Sequence, residues 1–288
     1  MHMKRTPCVC QTPCVCRTLR ACRMLFRLRL LQGLQCRLAA LSGASIGLFW
    51  AILEILVYTV FFTYGDPRVA QESGLSLPQA ISYAWLTQMF VPLMPMAIDG
   101  ELREKIISGD VGLELCRPLD LYAHWYARSA AARLGDTCLR GALVLVCALL
   151  APVPYRLGAP ASMAGFLLFL ASLVCALLLC TAYAMLVTAV RVGLSWGDGP
   201  TYMLLLLGNV LSGSYLALQL WPAAWQDFLF LQPFAGYMDL PLRLYVGALP
   251  PAQAWRALGL QLFWTAAFVL LGRRVLAGRL RGIVIQGG

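Results

Sequence analysis

The sequence predicts an all-α polytopic membrane protein: six transmembrane helices, an N-terminal interfacial helix and a short helical elbow on the cytoplasmic side. Three observations carry that expectation. Hydrophobic residues make up 60% of the 288 and charged residues only 12%, with mean hydropathy +0.72. A soluble domain carries about a quarter charged residues, so this apolar surplus exceeds what one soluble core buries. The chain also breaks into stretches of the roughly 20 apolar residues that cross a bilayer. Finally, arginine and lysine are distributed unevenly among the connecting segments. The composition excludes a disordered chain, a small disulfide scaffold and a conventional cytosolic enzyme.

The chain reads as a Cys-rich leader, expected to be disordered, over 1–23 and a single six-helix membrane domain over 24–288. In the leader, TPCVC at 6–10 recurs at 12–16. Paired thiolates suit soft metals, but this C-x-C spacing is not that of a closed zinc site. The alternative is a low-complexity leader, with Met24 as the start of the functional chain. From about 18 to 40, Leu19, Met24, Leu28, Leu31, Leu34 and Leu38 alternate with arginines, the pattern of a helix lying in the membrane interface. Cysteines 36, 116, 138, 147, 175 and 180 sit in or beside apolar segments and act as small hydrophobes.

The six spans fall at about 42–64, 79–98, 134–153, 162–190, 201–220 and 255–276. Span 2 contains Pro92 and Pro95, tolerable where neighbouring helices re-satisfy the freed carbonyls. Pro152, Pro154 and Pro160 tighten the turn between spans 3 and 4, where a five-span reading is the rival. Loop arginines and lysines favour six spans over five. Eighteen fall before span 1, between spans 2 and 3, after span 4 and after span 6, against three (Arg68, Arg156 and Arg243) on the other side. The positive-inside rule then places both termini in the cytoplasm, which requires an even number of spans. The net charge of +10 is of this kind, so nucleic acid is not an expected partner.

Catalytic and metal chemistry is sparse. The histidines are His2 and His124, with no H-x₃-H or H-E-x-x-H pattern. Gly193-Leu-Ser195-Trp-Gly197 matches G-x-S-x-G, but it follows a membrane span rather than a strand and has no histidine nearby. The lysines are Lys4 and Lys105, and neither follows a glycine, so a Walker A loop is absent. The chain is therefore not expected to be an enzyme or to hold a cofactor or metal. If it moves solute with ATP, another polypeptide hydrolyses it.

Inside the spans, Glu54 is an ionisable group at a depth where charge is expensive. It is either a pathway carboxylate or a structural one paired with a residue such as Arg140. Asn209, Ser212 and Ser214 on span 5, with Gln261 and Thr265 on span 6, are polar residues that bond neighbouring helices or line a substrate path.

The segment between spans 2 and 3 reads Asp99-GELREKIISGDVGLELCRPLD-Leu121. Glu101 to Ile107 is a short helical pattern ended by Ser108-Gly109-Asp110, and Val111 to Cys116 is a second, stopped by Pro118. A charged loop with helical pieces suits docking to a soluble partner by helix-in-groove contact. At this run, Ile106 to Leu121 with its Ser-Gly-Asp and Arg117-Pro118 steps, the sequence resembles the type-2 permease family of ATP-binding-cassette (ABC) exporters. The likeness is to the bacterial six-span branch related to drug and viologen exporters. Tyr83-Ala-Trp85, Gln232-Pro-Phe234 before Pro241, and Gln286-Gly287-Gly288 extend it over about 24–288. The Cys-rich leader departs from that family.

The resemblance implies a permease of the bacterial inner membrane that pairs with a second copy or a paralogue and with cytosolic ABC ATPase chains, which hold the ATP and magnesium. It further implies that the elbow carries a coupling helix, with Arg103, Glu104, Ile107, Asp110, Glu114 and Arg117 as its contact set. Short re-entrant helices would fill Trp221 to Leu249. Glu54, Asn209, Ser212 and Gln261 are the candidate substrate-path residues. The expected function is outward movement of an amphipathic, cationic or lipid-like substrate. Two rivals are a non-transporting sensor or assembly subunit that docks a soluble partner, and a membrane-embedded lipid-modifying enzyme.

Overall fold

In the computed structural model, residues 23–24, 26–29, 31, 37–65, 74–108, 120–192 and 198–281 are described. All regular structure among them is helical. Among the described residues, these α-helices follow in order from Arg37: α1 Arg37–Tyr64, α2 Leu77–Phe90, α3 Gly100–Ser108, α4 Leu121–Leu150, α5 Met163–Arg191, α6 Gly199–Val210, α7 Ala223–Leu231, α8 Asp239–Val246 and α9 Pro251–Leu280. The cysteine repeat, the G-x-S-x-G match and the terminal Gln286-Gly287-Gly288 lie outside the described residues. Of the interfacial segment, residues 23–24, 26–29 and 31 are described, and they are helical.

Among the described residues, three stretches are long and apolar enough to cross a membrane: Ala40–Tyr64, Met163–Arg191 and Pro251–Leu280. They coincide with expected spans 1, 4 and 6. The other three differ from expectation. α4 begins at Leu121 rather than near 134, because Asp120 caps it by accepting from the Ala123 amide at 3.2 Å, and no helix breaker follows. Span 2 stops being α-helical at Phe90 rather than near 98; a 3₁₀ turn, Val91–Leu93, follows. Pro92 has no amide hydrogen to extend the helix, and the residue before Pro95 is held extended, with Met94 at ψ 147°. Span 5 stops at Val210, ten residues early, because the chain turns through Gly213 at φ +84°.

Between α6 and α9 the expected short helices are present as two 3₁₀ turns, Leu218–Leu220 and Pro233–Gly236, with α7 and α8. The most extensive helix contact joins α5 to α9, while α2 packs against α1, α4 and α8. α2 is buried almost all round, from Ala80 to Thr87 and at Phe90, which makes it the central helix. In contrast, α1 leaves Ile46, Phe49, Trp50, Leu53, Leu56 and Val60 exposed, an apolar face suited to lipid or to another membrane chain.

Candidate functional site

Two places concentrate polar chemistry: the elbow around α3 and a cavity between α1, α2 and α4. Helix α3 starts because Asp99 accepts from the amides of Glu101 (3.0 Å) and Leu102 (3.3 Å). Leu102 is 1% exposed and packs with Tyr122, Trp125 and Met185, which fixes α3 to α4 and α5. Arg128 of α4 is nearly buried and donates to both carboxylate oxygens of Asp99, at 3.1 and 3.2 Å, and pairs with Glu101. Arg29, from the amphipathic segment, grips Glu101 with two hydrogen bonds. The bonds from Arg29, joined by those from Arg128, hold the Glu101 carboxyl at about 2, below the usual carboxylate range.

On the other side of the helix, Arg103 pairs with Asp198, the residue that precedes α6. Arg191, the last residue of α5, donates to the second oxygen of Asp198 at 2.8 Å. These two arginines, Arg103 first, lower the Asp198 carboxyl below its ordinary value.

Of the expected contact set, Arg103 is thus engaged within the chain. Glu104 and Ile107 are exposed, Ile107 at 58%, and three residues apart they share a helix face. Asp110, Glu114 and Arg117 lie outside the described residues. Sequence reasoning missed Asp198 and Arg128. An acidic residue at the head of an apolar stretch, on the arginine-rich side, was the available signal for Asp198.

The cavity has a volume of about 370 Å³ and is lined by Glu54, Tyr58, Gln88, Arg140 and Ser214 among apolar side chains of α1, α2 and α4. Glu54 accepts from Tyr58 Oη and Gln88 Nε2, each at 3.2 Å. Arg140, the suggested partner, lines the same cavity but makes no ion pair with Glu54. Tyr58 Oη in turn accepts from the Ala217 amide at 3.2 Å, joining α1 to the segment after α6.

The other three expected path residues sit elsewhere. Asn209 and Ser212 belong to the turn that ends α6: Ser212 Oγ donates to the Asn209 carbonyl at 2.6 Å, and Asn209 Nδ2 reaches Met96 Sδ at 3.1 Å. Gln261 is 1% exposed and accepts from Ser172 Oγ (3.1 Å) while donating to the carbonyls of Gly236 (2.8 Å) and Ser172 (3.2 Å). It ties α9 to α5 and to the 3₁₀ turn at 233–236. Among the described residues no cluster of His, Cys, Asp or Glu is arranged to hold a metal.

Residues 48–287 match the family model described as ABC-2 family transporter protein. No curated protein and no solved structure is matched. The family match spans most of the chain, which therefore belongs to the ABC-2 transporter family. Such a chain is a multi-pass membrane permease subunit, the transport part of an ABC transporter rather than a catalytic enzyme. That role implies an ATPase partner and usually a second permease.

Proposed function

We propose that this member of the ABC-2 transporter family exports an amphipathic, cationic or lipid-like substrate across the bacterial inner membrane. It works as one of two permease subunits, an identical copy or a paralogue beside it. Cytosolic ABC ATPase chains supply the energy, and ATP and magnesium stay on them. Six spans, with the second and fifth broken, place both termini in the cytoplasm. The elbow between spans 2 and 3 serves as the coupling helix, with Glu104, Ile107, Asp110, Glu114 and Arg117 toward the ATPase. Arg103 steadies the helix through Asp198.

One observation carries this reading: α3 is clamped to the bundle on both sides yet leaves Glu104 and Ile107 outward. The Leu102 anchor and the pairs to Arg128 and Asp198 join α3 to the ends of α4, α5 and α6. A push on such a helix moves the spans instead of bending a loop. Replacing Glu104 or Asp110 by lysine should abolish ATPase pull-down and transport while membrane insertion stays intact. Pull-down unchanged in both variants would remove the docking role.

A further inference from the structure

The 370 Å³ cavity is lined by two charged groups, Glu54 and Arg140, and they differ in how far their bonding capacity is used. Glu54 accepts one hydrogen bond on each carboxylate oxygen from within the chain. Arg140 has no hydrogen-bond or ion-pair partner among the described residues. An unneutralised guanidinium on a helix packed in the membrane domain is costly unless an anion meets it. Its planar fork of donors matches a phosphate or carboxylate.

The position of Arg140 sets the shape of the ligand. The guanidinium lies across α1 at Gly43, where an added Cβ would stand 2.7 Å from Arg140 Cζ. Gly43 is in the first turn of the apolar stretch Ala40–Tyr64, whereas Glu54 is near its middle. Eleven residues at the helical rise of about 1.5 Å separate the two levels by ~16 Å. Ile46, Trp50 and Leu53 line the interval. A cavity of this volume holds a drug-sized molecule, and here it is elongated, cationic at one end, apolar along α1 between the two levels, and polar again at Glu54, Tyr58 and Gln88.

A second cavity of about 340 Å³ meets the first at Val91, Pro92, Met96 and Arg140. It contains Asp99, Arg133 and Asp136. Arg133 is occupied with the carbonyls of Leu93 (3.2 Å) and Met94 (2.8 Å), and Asp99 is occupied with Arg128. Asp136 stands one turn from Arg140 on α4 and makes no ion pair with it among the described residues. Arg140 is thus the neck between the cavities, and its charge is the one left to be met in the larger.

We propose that the larger cavity binds an amphiphile with an anionic head, a phosphate or a carboxylate, held by Arg140, its hydrocarbon chain lying along α1 toward Glu54. This narrows the substrate class of the permease reading and rests on it for transport, though not for binding. A cationic head is disfavoured at the Arg140 end, where the guanidinium repels it.

The test uses the purified full-length chain in phosphatidylcholine nanodiscs. The probes are dodecyl phosphate, dodecyltrimethylammonium and inorganic phosphate. Dodecyl phosphate should bind at least about tenfold more tightly than the ammonium probe, a margin of one charge-assisted contact. Inorganic phosphate should not displace it. Arg140→Gln should lose that preference, and Arg140→Lys should retain part of it. If Arg140→Gln does not fold, the Lys variant and the probe ranking still decide. Displacement by phosphatidate in the nanodisc assigns the site to a membrane lipid and its absence to a detachable single-chain amphiphile; either outcome preserves the anionic head. Equal or tighter binding of the ammonium probe, or an Arg140→Gln chain that binds dodecyl phosphate normally, overturns the proposal. ATPase co-purification is a separate readout, so failure of the permease reading is distinguishable from failure of this one.

Discussion

Arg103 of α3 and Asp198 at the head of α6 form an ion pair across 95 residues of sequence, and Arg191 holds the same carboxylate from the end of α5. Two connections on the arginine-rich side of the protein are therefore joined by one acidic residue. Asp198→Asn removes both charge pairs while keeping the side chain's size. Hydrogen exchange in α3 should rise relative to wild type, and ATP-driven transport should fall with insertion unchanged. Exchange in α5 away from its last turn should not move. Unaltered exchange in α3 would show that Leu102 and the Arg29 and Arg128 pairs hold the helix without Asp198.

The clamp at the start of α3 is pH-dependent in a definite direction. Glu101 is held at about 2, mainly by Arg29, below the carboxylate value of about 4.3 in an unfolded chain. A depressed carboxyl stabilises the folded arrangement fully above the unfolded value, and that contribution is lost as pH falls toward 2. Difference infrared spectra of wild type against Glu101→Gln should show this carboxyl still ionised at pH 4. Arg29→Gln should raise its titration toward the ordinary range.

Gln261 is fully engaged in bonds between α9, α5 and the Pro233–Gly236 turn. Gln261→Ala leaves the buried Gly236 carbonyl and the Ser172 hydroxyl unmet, each costing about 1–3 kcal/mol. The midpoint of thermal unfolding in detergent should drop markedly, while dodecyl phosphate affinity stays at the wild-type level because Gln261 does not line the cavity.

Gly213 turns the chain after α6 at φ +84°, where a Cβ would come 2.8 Å from the Tyr83 hydroxyl. That hydroxyl lies 3.1 Å from the Gly213 carbonyl and 3.2 Å from Asp239 Oδ1, so it links α2, the turn and α8. Gly213→Ala should cost about 1–2 kcal/mol in backbone strain alone and more once Tyr83 is displaced. The expected readout is a lower yield of folded protein and a lower unfolding midpoint, with Tyr83→Phe recovering part of the loss.

Sequence pattern was most legible where one helix satisfies itself. Spans 4 and 6 read within about five residues of α5 and α9, because long apolar runs ended by proline or arginine leave little choice. It was least legible where charges are neutralised by distant residues. Arg128 and Arg133 made the start of α4 look like solvated loop, yet Arg128 meets Asp99 and Glu101, and Arg133 meets the Leu93 and Met94 carbonyls where the chain leaves the α-helix after α2. Tyr58, four residues after Glu54, was visible as a helical neighbour, but Gln88 came from another helix. Short helices were anticipated over Trp221 to Leu249 from aromatic content and the family resemblance, and Ala223–Leu231, Pro233–Gly236 and Asp239–Val246 are helical within that range.

We propose that this chain moves solute only when a separate ATPase acts through α3. Reconstituting the purified permease in proteoliposomes, with and without the ABC ATPase that co-purifies with it, tests this directly, using a fluorescent dodecyl phosphate as cargo. ATP-dependent movement is expected with both chains present, none with the permease alone, and none with the Glu104→Lys permease. Transport by the lone chain, or full transport by the Glu104→Lys complex, would contradict it.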